Sequence, residues 1–297
     1  MRTALCAVAL VACGSSAPLV GPSNKAKAPS YEAALEDPLG FLPADSEIVV
    51  GIDGSQIRST AVWTQFSGKV EKILADELAD VRNACGFDPL QTVERVSIGL
   101  RAEEPGRFTG VVVVRGVGAG TMGCIRTRMG KGGEVTDDRG VAVLEHHGEQ
   151  SGWTMIGSTL IAQFAPHVSY DTMQAVLASG SPLRTSRVFM GLYGQLAHGA
   201  SVWGVINGKT RLFDELDSTM RPVTALGTVT MSDRIVIAGR AVFRDDATAA
   251  KVDAELKQAL AQASKFTEHA ESRQEGTSVI VGMSISDAQL QLVLGFF

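Results

Sequence analysis

Glu47-Ile48-Val49-Val50-Gly51-Ile52-Asp53 decides how the fold is read. The stretch is short, β-branched and closed by acids, which makes it a strand. A counterpart stands far downstream at Ser201-Val202-Trp203-Gly204-Val205-Ile206-Asn207. Each is followed by the same succession of patterns, and working outward from the two strands gives the architecture.

After Asp53 comes a helical pattern from Ser59 to Ala84. Val62, Phe66, Val70, Ile73, Leu74, Leu78 and Val81 recur at three- and four-residue spacing, one stripe of a single long helix. Ser59 is a candidate N-cap, and Gly86 and Pro89 stop the run. Val93–Arg101 alternates and Phe108–Arg115 follows across a Pro-Gly turn, so the two predict a hairpin. A short helix is expected around Gly120–Met129, then strands near Gly133–Thr136 and Val141–His146 around the turn Asp137–Gly140. Trp153–Phe164 reads as a strand pair or one long strand, and Tyr170–Ala178 as a helix.

The second half begins with a helix around Ser186–Leu196. Its strand Ser201–Asn207 leads to a helix at Thr210–Met220 and a hairpin of Thr224–Met231 with Ile235–Phe243. Ala247–Lys265 has Ala249, Val252, Leu256, Leu260 and Ala263 on one stripe, a further helix. A last hairpin, Thr267–Gln274 with Thr277–Ile285, precedes a short C-terminal helix from Ser286. Both halves thus read strand, helix, hairpin, helix, hairpin. That order predicts the α+β class, as two tandem β-α-β-β-α-β (ferredoxin-like, split βαβ) modules with antiparallel sheets, over residues 41–180 and 181–297.

Residues 1–12 hold Arg2 and an apolar run from Ala4 to Ala12, too short to span a bilayer, which takes roughly 20 apolar residues. Leu10-Val11-Ala12-Cys13-Gly14 reads as a lipobox, with Cys13 as the acylated residue and residues 1–12 as its signal peptide. The stretch resembles a bacterial lipoprotein signal, and in lipoproteins of that kind Gly14, rather than Asp, after the cysteine implies the outer membrane. Residues 13–40 read as anchor and flexible tether; the small and proline residues from Gly14 to about Asp37 would hold the folded part roughly 25–30 Å from the bilayer. Cys85 and Cys124 survive cleavage and form an even pair in an oxidising compartment, which predicts a disulfide.

The 297-residue chain carries net charge −5, and loss of Arg2 leaves 26 basic against 32 acidic side chains. With no basic cluster, neither nucleic acid nor an anionic lipid surface is an expected partner. The expected associations are the membrane, through the lipid anchor, and an envelope protein.

Gly118-Ala119-Gly120-Thr121-Met122-Gly123 matches G-x-G-x-x-G, with Asp137 and Asp138 downstream. The strand before it is the second arm of a hairpin, whereas a dinucleotide site needs a parallel βαβ unit. No cofactor is expected. His146, His147, His167, His198 and His269 form no helical metal pair, and no G-x-S-x-G elbow is present. Asp45, Glu47 and Asp53 make a loose acidic group near the first strand. Trp63, Trp153 and Trp203 read as core or sheet-face anchors, any of which could line a groove.

Leu42-Pro43-Ala44-Asp45-Ser46-Glu47 leading into the strand, then Ile57-Arg58-Ser59 and Trp63, resembles the opening of domains in a group of uncharacterised exported proteins. Cys85-Gly86-Phe87-Asp88-Pro89-Leu90 before an alternating strand is similar to the version in lipoproteins of social and predatory soil bacteria. The resemblance implies a tandem α+β lipoprotein and transfers no activity.

The leading expectation is a non-enzymatic, lipid-anchored envelope protein with a binding or structural role. Two alternatives stand beside it. A large apolar groove lined by Trp or Met would favour a carrier or sensor of a small apolar ligand. Carboxylates or histidines clustered in a cleft would favour an envelope hydrolase.

Overall fold

The computed structural model describes residues 31–104, 107–118, 120–129, 134–146, 149–214 and 220–294. Its strands are β1 (Ile48–Asp53), β2 (Arg95–Glu104), β3 (Arg107–Arg115), β4 (Glu134–Asp138), β5 (Val141–His146), β6 (Glu149–Ile156), β7 (Thr159–Ala165), β8 (Val202–Asn207), β9 (Thr224–Met231), β10 (Ile235–Val242), β11 (His269–Glu275) and β12 (Ser278–Ile285). The helices are α1 (Tyr31–Glu36), α2 (Gly54–Arg58), α3 (Ala61–Ile73), α4 (Ala75–Cys85), α5 (Pro89–Thr92), α6 (Thr121–Met129), α7 (Tyr170–Ala178), α8 (Arg187–Tyr193), α9 (Asp246–Ala263) and α10 (Asp287–Leu294). The chain is α+β with an antiparallel sheet, the expected class.

The two halves share one sheet, in the order β11-β12-β10-β9-β8-β1-β2-β3-β7-β6-β5-β4. β1 and β8 close the seam as an antiparallel pair with Gly51 opposite Trp203 and Val49 opposite Val205. Outward from the seam each half runs as a three-strand meander and then a hairpin entered from its second strand, with β4 and β5 added at one edge. The split βαβ expectation is corrected here. Such a unit needs parallel strands joined by a crossover helix, and every pairing in this sheet is antiparallel. Both outer strands are short and carry charge, Glu134, Asp137 and Asp138 on β4, Glu271, Arg273 and Glu275 on β11, which disfavours edge-to-edge pairing.

Strand alternation sends side chains to two faces. One face holds Val49, Val111, Val113, Ile161, Val205 and Leu226 and packs against α1, α7 and α8 in a single core. Because that core includes Leu183, Phe189 and Leu196 together with Met173, the expected boundary at residue 180 does not separate two cores. The opposite face has three smaller clusters. Val117, Ala142 and Leu160 lie with Ile125 of α6; Val62 and Phe66 of α3 pack with Leu290 of α10; Ala249 of α9 packs on Phe243 and Val279.

Several local expectations change. The helix predicted over Ser59–Ala84 breaks at Leu74, whose backbone (φ −99°, ψ 17°) ends α3 and begins α4. One apolar stripe serves two surfaces, α3 packing with α10 and α4 beside α6. Thr60, not Ser59, caps α3, its hydroxyl accepting from the Trp63 N–H at 3.1 Å. Trp153–Phe164 resolves into β6 and β7, turning at Gly157 with φ 58°. Between β4 and β5, Arg139 and Gly140 (φ 51° and 90°) supply the two left-handed residues of a tight hairpin turn. Of the helix expected over Thr210–Met220, the described residues hold a single 3-10 turn, Arg211–Phe213.

The tether also ends earlier than expected. Residues 31–36 are helical, Ala34, Leu39 and Phe41 are buried, and the segment is tied to the sheet by Arg115. Its guanidinium donates to the carbonyls of Leu35 (2.6 Å), Asp37 (2.7 Å) and Ala34 (3.3 Å) and to the Ser97 hydroxyl (3.3 Å). The carboxylate of Asp37 in turn accepts two hydrogen bonds from Arg184, at 2.6 and 2.7 Å.

Candidate binding clefts

Cys13 lies outside the described residues. Cys85 and Cys124 are joined as the expected disulfide, which ties the C-terminal end of α4 to α6. α6 packs on the sheet through Ile125, while β3 and β7 contribute Val114 and Leu160 to the same face. Between these helices and the strands runs an apolar groove of about 340 Å³, lined by Val81, Phe87, Val114, Ile125, Trp153 and Leu160 together with the disulfide. Trp153 stands there because its partner in the ladder is Ala162, which places its ring on the Leu160 face. The indole N–H is satisfied by the Ser151 hydroxyl at 3.0 Å, and the ring edge meets Phe164 at 5.8 Å. The wall it offers is therefore apolar.

A second cleft opens on the other face, at the seam between the halves. Gly51, Asp53, Arg95, Tyr193, His198 and Trp203 contribute to its lining, and its volume is about 260 Å³. The ladder assembles it. Asp53 faces Arg95 across β1 and β2, and Gly51 faces Trp203 across β1 and β8. A β-carbon at Gly51 would fall inside the Trp203 indole, so glycine is what lets that ring lie on the strand. Tyr193, from the end of α8, meets the indole edge-on at 5.0 Å and 71°, and Phe189 stacks behind it at 5.5 Å. Burial pushes the Tyr193 phenol upward, so it stays protonated. Asp53 Oδ1 caps α2 by accepting from the Gln56 N–H at 2.8 Å, while Oδ2 meets Arg95 at 3.4 Å. The Gln56 side chain donates to the Gly199 carbonyl and closes one rim.

The acidic residues noted in the sequence are not brought together. Asp45 pairs with Arg101 at 2.5 Å and Glu47 accepts from the Ala102 N–H at 3.3 Å, both at the end of β1 opposite Asp53. Of the histidines, His198 lines the seam cleft and His269 sits 3.6 Å from Glu271 on β11; His147 lies outside the described residues. Among the described residues no three His, Cys, Asp or Glu side chains are placed to hold a metal ion. The glycine run does not follow a strand of a parallel βαβ unit, the setting a dinucleotide site needs. Gly118, Gly120 and Gly123 face open space, Ala119 is outside the described residues, and β3 lies antiparallel to both neighbours. No described helix is long and apolar enough to cross a membrane.

Arg95 and Tyr193 carried no signal of their own in the sequence. Arg95 was legible only as one residue of an alternating strand, and Tyr193 only as one residue of a short helix.

No protein-family model matches the chain, and no curated protein matches it. Solved structures do. Crystal form IV of TP0453 superposes with a TM-score of 0.53 at 11% identity, covering 89% of this chain and 98% of that one. Crystal form III gives 0.52 at 12% identity, and form I gives 0.50 at 12%, each over 88% of this chain and 98% of the other. At this identity the likeness is one of fold.

Proposed function

We propose that this is a lipid-anchored cell-envelope protein that works by binding, and that it carries or senses a small apolar ligand in the groove between α4, α6 and the sheet. The observation that carries the reading is the lining of that groove: aliphatic side chains, Phe87 and the Trp153 ring around a space of about 340 Å³. Ligand sites for small molecules are mostly apolar concavities of roughly this size. The disulfide at its edge holds α4 to α6 and so keeps the groove formed. Acylation at Cys13 would place this groove beside a membrane, most simply the outer membrane, where apolar compounds partition. The matching strand orders on either side of the β1–β8 seam support descent of the two halves from one duplicated unit.

Two measurements test the proposal. The apolar probe N-phenyl-1-naphthylamine should bind saturably, with energy transfer from tryptophan. Ile125→Trp, which fills the groove, should weaken it by about tenfold or more, the equivalent of roughly 1.4 kcal/mol. Unaltered probe binding in that variant removes the ligand reading. For the anchor, Cys13→Ala should block incorporation of labelled palmitate and release the chain from washed membranes; retention without label would remove the lipoprotein reading.

A further inference from the structure

The seam cleft is chemically unlike the apolar groove and lies on the opposite face of the sheet. Its two aromatic rings are held rigidly. Trp203 rests on Gly51 with no room to sink further, and Tyr193 is fixed between Trp203 and Phe189. Around them stand polar atoms with unused capacity. Among the described residues the Trp203 indole N–H and the Tyr193 hydroxyl have no hydrogen-bond partner. Arg95 has five N–H donors and makes one long contact, at 3.4 Å to Asp53 Oδ2. That oxygen has no closer partner. The one carboxylate and one guanidinium balance, so an anion in the cleft would be repelled by Asp53 and a cation by Arg95.

A half-buried indole with a tyrosine edge-on beside it, a set of planar donors and acceptors, and one charge of each sign suit one kind of ligand. A pyranose has a face of C–H groups, which packs on an aromatic ring, and a rim of hydroxyls, each able to donate and accept. We propose that the cleft at the β1–β8 seam binds a single neutral sugar ring, with its C–H face against the Trp203 indole and its hydroxyls on Asp53, Arg95 and the Tyr193 hydroxyl. The volume of about 260 Å³ admits one ring and not a chain. The ligand is therefore a free monosaccharide or the terminal unit of a glycan. This site is independent of the apolar groove, and loss of one leaves the other intact.

Saturation-transfer NMR on the purified full chain tests it. Glucose, galactose, mannose and N-acetylglucosamine form the neutral panel, with glucuronate and glucosamine as charged controls. At least one neutral sugar should bind saturably and the matching charged sugar about tenfold more weakly. Trp203→Phe removes the indole N–H and keeps a ring, Asp53→Asn keeps the cap of α2, and Arg95→Met keeps the stem. Each should weaken binding about fivefold to tenfold, the scale of one hydrogen bond to a ligand. Any variant that melts early is replaced by Tyr193→Phe, which changes one hydroxyl. An oligosaccharide ending in the preferred sugar then separates the sources: equal binding supports a glycan end, and exclusion supports a free sugar. The proposal is overturned if no neutral sugar binds by about 10 mM, a limit weaker than ordinary ligand affinities. It is also overturned if all the variants bind within twofold of the parent chain.

Discussion

The indole of Trp203 occupies the space that a side chain on Gly51 would need. The two residues face each other across the β1–β8 ladder, the pairing that makes two half-sheets into one. The contact thus serves the seam and the cleft above it together.

Gly51→Ala should be destabilising even though alanine suits a strand better than glycine does. The added methyl must push Trp203 off the strand, and such overpacking costs about 1–3 kcal/mol. Urea unfolding followed by far-UV circular dichroism would measure it. In a Trp203→Leu background the ring is gone and the same change should cost less than about 0.5 kcal/mol, since the two residues are directly coupled. Equal costs in both backgrounds would show that the indole is not the obstacle.

Arg115 should be among the least replaceable residues of the first half. It is 7% exposed, and burial works to lower its guanidinium, as expected for a charge held away from water. Its donors satisfy three backbone carbonyls at the end of α1 and the turn after it. Arg115→Met keeps the stem and abandons those carbonyls. Leaving buried acceptors unpaired costs roughly 1–3 kcal/mol each where water cannot reach them. A loss of about 3 kcal/mol is expected in urea unfolding, with proteolytic cleavage appearing first near residues 31–40. A loss below about 1 kcal/mol would mean that α1 is not held by this residue.

The disulfide should contribute through the unfolded chain. Cys85 and Cys124 are 39 residues apart, and closing a loop of that length corresponds to about 4 kcal/mol in the chain-entropy account. The Cys85→Ser/Cys124→Ser double variant should lose stability on that scale. Reduction of the parent chain should reproduce it, with no further effect of reductant on the variant. A variant as stable as the parent would show that α4 and α6 hold together by packing alone.

What the sequence displayed and what it concealed divide along physical lines. The strands were legible because β-branched runs such as Val111–Val114 and Val279–Val281 belong to few other structures. The hairpins were legible because turn residues lie between their arms. The single sheet was not, since β1 and β8 pair without any connecting turn to mark them. Nor was the packing of α1: Ala34 and Leu35 show no apolar period, and what fixes them is the Arg115 side chain on a distant strand. The break at Leu74 was hidden by a stripe that continues through it while its two parts serve different partners. Trp153, Trp203 and Asp53 could each be named in advance. Their grouping with Ile125, Tyr193 and Arg95 depends on register and on helix placement, which one sequence does not reveal.

Asp37 gives the fold a specific acid sensitivity. Burial of its carboxyl acts to raise its pKa, and the hydrogen bonds from Arg184, Ser181 and the Leu39 N–H, with the Arg184 charge, outweigh burial, so it lies below the ordinary aspartate range. A carboxylate whose pKa is depressed on folding binds its proton more readily in the unfolded chain. Its contribution is therefore fully present above about pH 4, the unfolded value, and is lost as pH falls through the lower folded value. Arg184 stays charged throughout, so the whole change belongs to Asp37. The parent chain should melt higher than Asp37→Asn near neutral pH, and the gap should narrow as pH drops below about 4. Thermal melts of the two proteins between neutral pH and pH 3 would measure it. A gap that stays constant over that range would show that the Asp37–Arg184 pair does not couple protonation to folding.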